Sequence, residues 1–186
     1  MNNLIYGSYG LLGFELGKWF LEMGESVFHI NIGDEFENKQ KLEEKQLLFG
    51  RNSNFKEIDR MEKMEPIEGK SRVIVPFIDW ERFGEGEKKK IIDRLRTHLH
   101  IQWQNPTFFF ILILLKRDNF EDLKRDFPFL FSESKRLQTI IVPENDRKEP
   151  LEEEKEVEII PLTREIITVI ESEKPGDHTV THMLML

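Results

Sequence analysis

Apolar runs alternate along the chain with stretches in which apolar residues recur every three or four positions. Short apolar runs are typical of buried strands, and the three-to-four spacing is typical of amphipathic helices. The pattern predicts strands at 4–6, 26–32, 55–58, 72–78, 107–115, 137–142 and 157–162. It predicts helices at 11–23, 35–49, 87–100, 119–127 and 164–170. A polar connection is expected over 145–155, and Thr163 is the expected N-cap of the last helix.

The order of these elements predicts the fold class. Strands alternate with helices, and the strands are apolar on both faces, which is typical of a parallel sheet covered on both sides. We therefore expect an α/β fold: a Rossmann-like, doubly wound, mainly parallel sheet flanked by helices. One domain is expected over residues 1–172, followed by a C-terminal tail over 173–186 that forms an edge strand or docks on a partner.

Composition and charge narrow the classes of function. The chain has 186 residues, a formal net charge of −8 and no cysteine. The acidic balance argues against nucleic acid and anionic membrane surfaces as partners, because both attract basic faces. The apolar run 108–115 is far shorter than a membrane helix of about 20 residues. Because the sequence has no signal-peptide pattern and cannot form disulfides, we expect a cytoplasmic location.

Three glycines follow the first strand in "LIYGSYGLLG", residues 4–13, at the spacing G-x-x-G-x-x-G. They lie between a strand and an amphipathic helix that leads to a second strand, which is typical of dinucleotide-binding loops. In such a loop Gly7 takes the tight turn, Gly10 lets a pyrophosphate approach the backbone, and Gly13 lets the helix pack closely. The helix N-terminus offers free N–H groups to the phosphates. The alternative is a structural turn that binds nothing.

The opening stretch "LIYGSYGLLGFELGKWFLEMGESVFHI" resembles that of the extended short-chain dehydrogenases, which include nucleotide-sugar epimerases, dehydratases and reductases. Two apolar residues, Leu11 and Leu12, precede the last glycine, and Gly24 separates the helix from the second strand. The likeness is close over residues 3–33 and extends, by the order of elements, to about residue 143. It implies a Rossmann fold and NAD or NADP as the cofactor.

The resemblance also implies which residues would hold a dinucleotide. In the family an acidic residue at the end of the second strand binds the ribose; Asn31 takes that place here, and Asp34 could substitute for it. The family often has an acidic residue near the adenine after its third strand, and Asp59 is the candidate for it. The implied cofactor-binding residues are the loop and these three side chains: Gly7, Ser8, Tyr9, Gly10, Leu11, Leu12, Gly13, Asn31, Asp34 and Asp59.

The chain departs from the family where catalysis takes place. Those enzymes use a tyrosine with a lysine four residues later, whereas the two tyrosines here are Tyr6 and Tyr9. Leucines and a lysine, residues 114–116, replace the serine or threonine expected after the fifth strand. Bulky residues at 76–79 stand where small ones usually leave room for the cofactor, so we expect them to narrow or fill the cleft. The chain is also too short for the usual C-terminal substrate domain.

Three hypotheses remain open, and they differ on whether the chain is an enzyme. The first is an NAD(P)-binding module without catalysis that serves in binding, sensing or as a scaffold. The second is an active oxidoreductase or epimerase in which Asp79, Glu81 or Lys116 supplies the acid or base. The third is a structural or interaction protein that no longer binds nucleotide. The apolar end of the tail also predicts self-association as a homo-oligomer or contact with a protein partner.

No metal site is expected, because His178 and His182 would lie about 13 Å apart on an extended segment.

Overall fold

The computed structural model describes residues 1–31, 39–58, 67–80, 83–116, 120–132, 134–145, 152–180 and 184–185. The strands are β1 (Asn2–Tyr6), β2 (Ser26–Ile30), β3 (Phe55–Ile58), β4 (Ser71–Pro76), β5 (Phe108–Leu115), β6 (Leu137–Val142), β7 (Glu144–Asn145), β8 (Gly176–Thr179) and β9 (Leu184–Met185). The α-helices are α1 (Leu11–Glu22), α2 (Lys39–Gly50), α3 (Glu85–Trp103), α4 (Phe120–Asp126), α5 (Pro128–Ser132) and α6 (Glu152–Ser172).

Within these ranges the main sheet has seven strands in the order β3-β2-β1-β4-β5-β6-β8. Neighbouring strands in it are parallel throughout. The strand order reverses between β1 and β4, so the loops after these two strands border a crevice at the carboxyl edge of the sheet. The predicted α/β fold, a doubly wound Rossmann-like sheet, is confirmed.

Helices cover both faces of the sheet because successive strand residues point to opposite sides. On one face, α1 and α6 pack against fully buried side chains such as Ile5 and Ile111. On the other face, α3 packs against Leu4 and Phe110, which are also fully buried. The central strands are therefore apolar at most positions, which explains the continuous apolar runs in the sequence.

The C-terminal helix differs from the prediction of a strand followed by a shorter helix. The observed helix, α6, runs over Glu152–Ser172 without interruption. Thr163 lies inside it and donates its hydroxyl to the Ile159 carbonyl at 2.7 Å, so Thr163 is not an N-cap. Buried apolar residues recur at helical spacing from Ile159 to Ile170, and their burial outweighs the helix-breaking effect of Pro161.

Other predicted boundaries also shift. The fourth strand ends at Pro76, and a turn of 3-10 helix over Phe77–Trp80 follows where the strand was expected to continue. Helix α6 begins at Glu152, inside the predicted polar connection. The helix predicted at 119–127 is followed at once by α5, which begins at Pro128, because the first residue of a helix needs no N–H donor.

In the C-terminal tail, β8 lies at the edge of the main sheet beside β6. Residues 35–38 of the predicted second helix lie outside the described residues, and that helix is observed from Lys39. His182 lies outside them as well. None of the helices in the described part of the chain is both long and apolar enough to cross a bilayer.

Candidate functional site

The loop after β1 makes the tight turn expected from its glycines. Gly7 has a φ of 78°, in the left-handed region that favours glycine. Its N–H donates to the Ile30 carbonyl at 3.1 Å, and the Gly10 N–H donates to the Gly7 carbonyl at 2.9 Å. These bonds turn the chain from β1 into α1, as predicted for Gly7.

Gly13 brings the first turn of α1 against this loop. A Cβ atom on Gly13 would lie 2.7 Å from the Gly7 carbonyl oxygen and 3.0 Å from Ser8 Cα. Both are backbone atoms of a hydrogen-bonded turn, so neither can move aside at low cost. The predicted role of Gly13 in close packing of the helix is confirmed.

The polar side chains of the loop, Ser8 and Tyr9, are bonded inside the protein. Ser8 is fully buried, and its hydroxyl shares a hydrogen bond with Nδ1 of His29 on β2. The Tyr9 hydroxyl donates to Oε2 of Glu57 on β3 at 3.2 Å, and the Tyr9 and His29 ring centroids are 4.2 Å apart. Burial lowers the pKa of His29 to about 3, so its imidazole is neutral at pH 7. Sequence reasoning missed His29, whose signal is a polar residue within an otherwise apolar strand.

Lys45 reaches the same loop from α2. Its ammonium group donates to the Tyr9 carbonyl at 3.0 Å and to the Gly10 carbonyl at 3.4 Å. It also lies 4.9 Å from the centroid of the Phe14 ring. A positive charge therefore lies beside the carbonyls that lead into α1. Sequence reasoning missed this lysine as well, because the charged residues of α2 show little periodicity.

A carboxylate covers the N-terminus of α1. Its N-cap residue, Gly10, has no side chain that could accept hydrogen bonds from the first N–H groups of the helix. Asp79, from the turn after β4, accepts them instead: Oδ1 from the Leu12 N–H at 2.9 Å and Oδ2 from the Gly13 N–H at 2.8 Å. Asp79 is only 8% exposed. Such bonds are charge-assisted, and the positive end of the helix dipole strengthens them.

The same carboxylate fills the space that Gly10 leaves open. A Cβ atom on Gly10 would overlap the side chain of Asp79. In a dinucleotide-binding loop, that space and the N–H groups of the helix serve the pyrophosphate. The donor set therefore suits an anion, but a pyrophosphate does not fit while the Asp79 carboxylate is in place. Of the residues 76–79 that were predicted to narrow or fill the cleft, Asp79 occupies the space at the start of α1.

The other predicted cofactor-binding residues are only partly described. Asn31 directly follows β2 and is half-buried at the carboxyl edge of the sheet, on the side where β2 bonds the glycine loop. Leu11 is the first residue of α1 and is also half-buried. Asp34 and Asp59 lie outside the described residues, as does Glu81, one of the proposed acid or base groups. The structure thus brings Asn31 and the loop to the same edge.

Tyr6 is not placed for proton exchange with a substrate. It lies on β1, fully buried, with its hydroxyl 2.7 Å from Nδ1 of His98 on α3. Burial raises the pKa of Tyr6 well above its usual range, because the phenolate would be desolvated. Tyr6 and His98 therefore form a hydrogen-bonded pair within the core.

Lys116 lies at the carboxyl end of β5, away from the glycine loop in the sheet order. It is exposed, and its backbone N–H donates to the Val142 carbonyl at 2.9 Å. Together with Phe120 and Asp177 it lines an open cleft of about 180 Å³. Strand β4 lies between β5 and β1 in the sheet, so Lys116 is separated from the glycine loop by one strand.

Comparisons with known proteins agree on the fold. No protein-family model matches the chain, and no curated protein matches it. A short-chain dehydrogenase/reductase from Vibrio parahaemolyticus is similar at a TM-score of 0.59 and 13% identity, over 97% of this chain and 96% of that chain. An apo SCOR enzyme from Clostridium thermocellum has a TM-score of 0.54 and 10% identity, over 98% and 90%. BdcA in complex with NADPH has a TM-score of 0.52 and 10% identity, over 99% and 94%. The chain therefore has the Rossmann fold of the short-chain dehydrogenases.

Proposed function

We propose that this protein is a Rossmann-fold module that binds NAD or NADP at the loop 7–13 and does not carry out the usual dehydrogenase or epimerase reaction. The observation that carries the proposal is the loop itself, in which Gly7 turns the chain and the N–H groups of Leu12 and Gly13, now bonded to the Asp79 carboxylate, form a donor pair suited to a phosphate. The similar structure of BdcA holds NADPH.

We also propose a cytoplasmic location. A chain without cysteine forms no disulfides and so needs no oxidising compartment, which supports that location.

Two observations on the tyrosines support the second part of the proposal, that the usual reaction does not take place. The sequence has no tyrosine followed four positions later by lysine, and Tyr6 is held in the core by His98. A binding, sensing or scaffold role needs the dinucleotide but not this pair of residues. A steady change in NADH or NADPH absorbance with a carbonyl or nucleotide-sugar substrate would contradict this part of the proposal.

Isothermal titration with NAD, NADH, NADP and NADPH tests the binding. We expect saturable binding of at least one of the four. Leu11→Glu adds a carboxylate to the first turn of α1, which the helix dipole tolerates but a pyrophosphate does not. Leu11→Gln has the same length without the charge. Binding weakened about tenfold or more by Leu11→Glu and retained by Leu11→Gln would locate the ligand at the loop. Failure of all four dinucleotides to bind the wild-type protein would overturn the proposal.

A second candidate is a structural or interaction protein that keeps the fold but binds no nucleotide. The position of Asp79 favours it, because the anion site of α1 is filled by the chain's own carboxylate. In that case the glycines serve only the turn and the packing of α1. The same titration separates the two candidates, because only the first predicts saturable binding to the wild-type protein.

A further inference from the structure

We propose that Asp79 is an internal competitor for the anion site at the start of α1, so that a dinucleotide binds only when this carboxylate moves away. The inference rests on the proposed dinucleotide binding and concerns how that site is regulated. It follows from the position of a single side chain, which bonds two N–H groups of α1 and occupies the space above Gly10.

Competition follows from both geometry and charge. The N–H groups of Leu12 and Gly13 each donate to one oxygen of the Asp79 carboxylate, at 2.9 and 2.8 Å. A pyrophosphate bound to the same donors would place its oxygens where Oδ1 and Oδ2 now lie. The Asp79 carboxylate and a phosphate group side by side in a buried site would repel each other strongly, because little water is present to screen them. The two groups therefore exclude each other.

The exchange leaves the helix capped in both states. The first N–H groups of an α-helix have no acceptor within the helix. With Asp79 in place, a carboxylate satisfies Leu12 and Gly13; with a dinucleotide bound, phosphate oxygens would satisfy the same groups. Release of Asp79 therefore does not require α1 to unwind.

The turn that carries Asp79 contains a buried hydrogen-bond donor that is not satisfied in the present arrangement. Phe77 anchors it through ring contacts with Trp80 and Phe127, at centroid distances of 4.8 and 6.1 Å. The indole N–H of Trp80 is buried and has no hydrogen-bond partner within the described ranges. A buried donor without an acceptor is costly, so a shift of this turn that gives the indole a partner would offset part of the cost of moving Asp79.

Titration of matched variants tests the competition. Asp79→Asn keeps the shape but removes the charge, and Asp79→Ala empties the space. Asp93→Asn, an exposed change on α3, is the control. The probes are the four dinucleotides and inorganic pyrophosphate. We expect both Asp79 variants to bind at least one probe about tenfold or more tightly than the wild type, while Asp93→Asn binds like the wild type. Should Asp79→Ala fail to fold, Asp79→Asn decides alone.

Each outcome bears on one proposal or on both. Tight binding by the Asp79 variants with no binding by the wild type supports the competition and overturns dinucleotide binding as the function of the native chain. Equal or weaker binding by the variants, with saturable wild-type binding, overturns the competition and leaves the function standing. No binding by any folded variant overturns both.

Amide signals give a second measurement that does not depend on affinity. In the wild type, the backbone amides of Leu12 and Gly13 report on the Asp79 carboxylate, so their NMR shifts should change in Asp79→Asn without ligand. Addition of a dinucleotide to the wild type should move the same two signals. Unchanged Leu12 and Gly13 signals in a protein saturated with dinucleotide would overturn the competition.

Discussion

The turns after β1 and β4 follow two paired strands and are built in opposite ways. Glycines in the first turn, residues 7–10, leave space above the start of α1. The second turn, Phe77–Trp80, consists of buried side chains, and Asp79 among them occupies that space. The first turn thus keeps the geometry of an anion-binding loop, while the second supplies an anion from within the chain.

A glycine pattern of this kind is often taken to mean that a ligand binds, but here each glycine has a structural reason of its own. Gly7 and Gly13 are needed for the turn and for helix packing whether or not a ligand binds. Gly10 is needed in this conformation because its neighbour is a carboxylate of the same chain. The pattern therefore indicates backbone geometry, and the side chains of the second turn determine whether an external anion can use it.

The largest expected effect comes from filling the space at the first turn. Gly13→Ala should lower the free energy of unfolding by about 2–3 kcal/mol, because the new Cβ atom meets backbone that cannot yield. Gly86→Ala is the matched control, since it also lies in the first turn of a helix and its Cβ atom would meet nothing within 4 Å. There we expect a gain of about 0.5–1 kcal/mol. Urea unfolding measures both, and similar responses at the two glycines would contradict the tight packing of the loop.

The sequence predicted the elements with simple apolar patterns and failed where a contact depends on the assembled sheet. Strands at 55–58 and 137–142 have the predicted bounds. In α6 the prediction of a strand at 157–162 was wrong, because burial of a long apolar face continues the helix through Pro161. The bulky residues after β4 were predictable from the sequence, but their contact with α1 was not. Asp79 reaches Gly13 because β1 and β4 are neighbours in the folded sheet, at the point where the strand order reverses.

The next effect concerns the buried histidine that holds the first turn through Ser8. The pKa of His29 is about 3 in the folded protein, and an unfolded histidine has a pKa of about 6.5. Below pH 6.5 the unfolded chain binds a proton that the folded chain does not, so stability falls as the pH drops from about 6.5 towards 3. His29 alone should contribute a slope approaching about 1.4 kcal/mol per pH unit. Urea unfolding between pH 7 and 5 measures it, in a window where most carboxylates remain ionised.

Two variants isolate this slope. His29→Asn can still bond Ser8 but does not titrate, so its stability should depend less on pH than that of the wild type, although it is less stable at pH 7. His100→Asn changes an exposed histidine on α3 and should leave the wild-type slope in place. A slope that is the same in His29→Asn and in the wild type would show that other groups cause the loss of stability in acid.

The smallest effect concerns the outer side of the first turn, where Lys45 bonds the carbonyls of Tyr9 and Gly10. Lys45→Met keeps most of the packing of the side chain and removes the ammonium group, so it should cost about 1 kcal/mol, because the carbonyls of two buried residues lose a charged donor. Lys18→Met, on the exposed face of α1, should change stability by less than about 0.5 kcal/mol. Equal effects in urea unfolding would mean that Lys45 does not support the loop. The turn would then depend on the bond of Ser8 to β2 and on the carboxylate from the second turn.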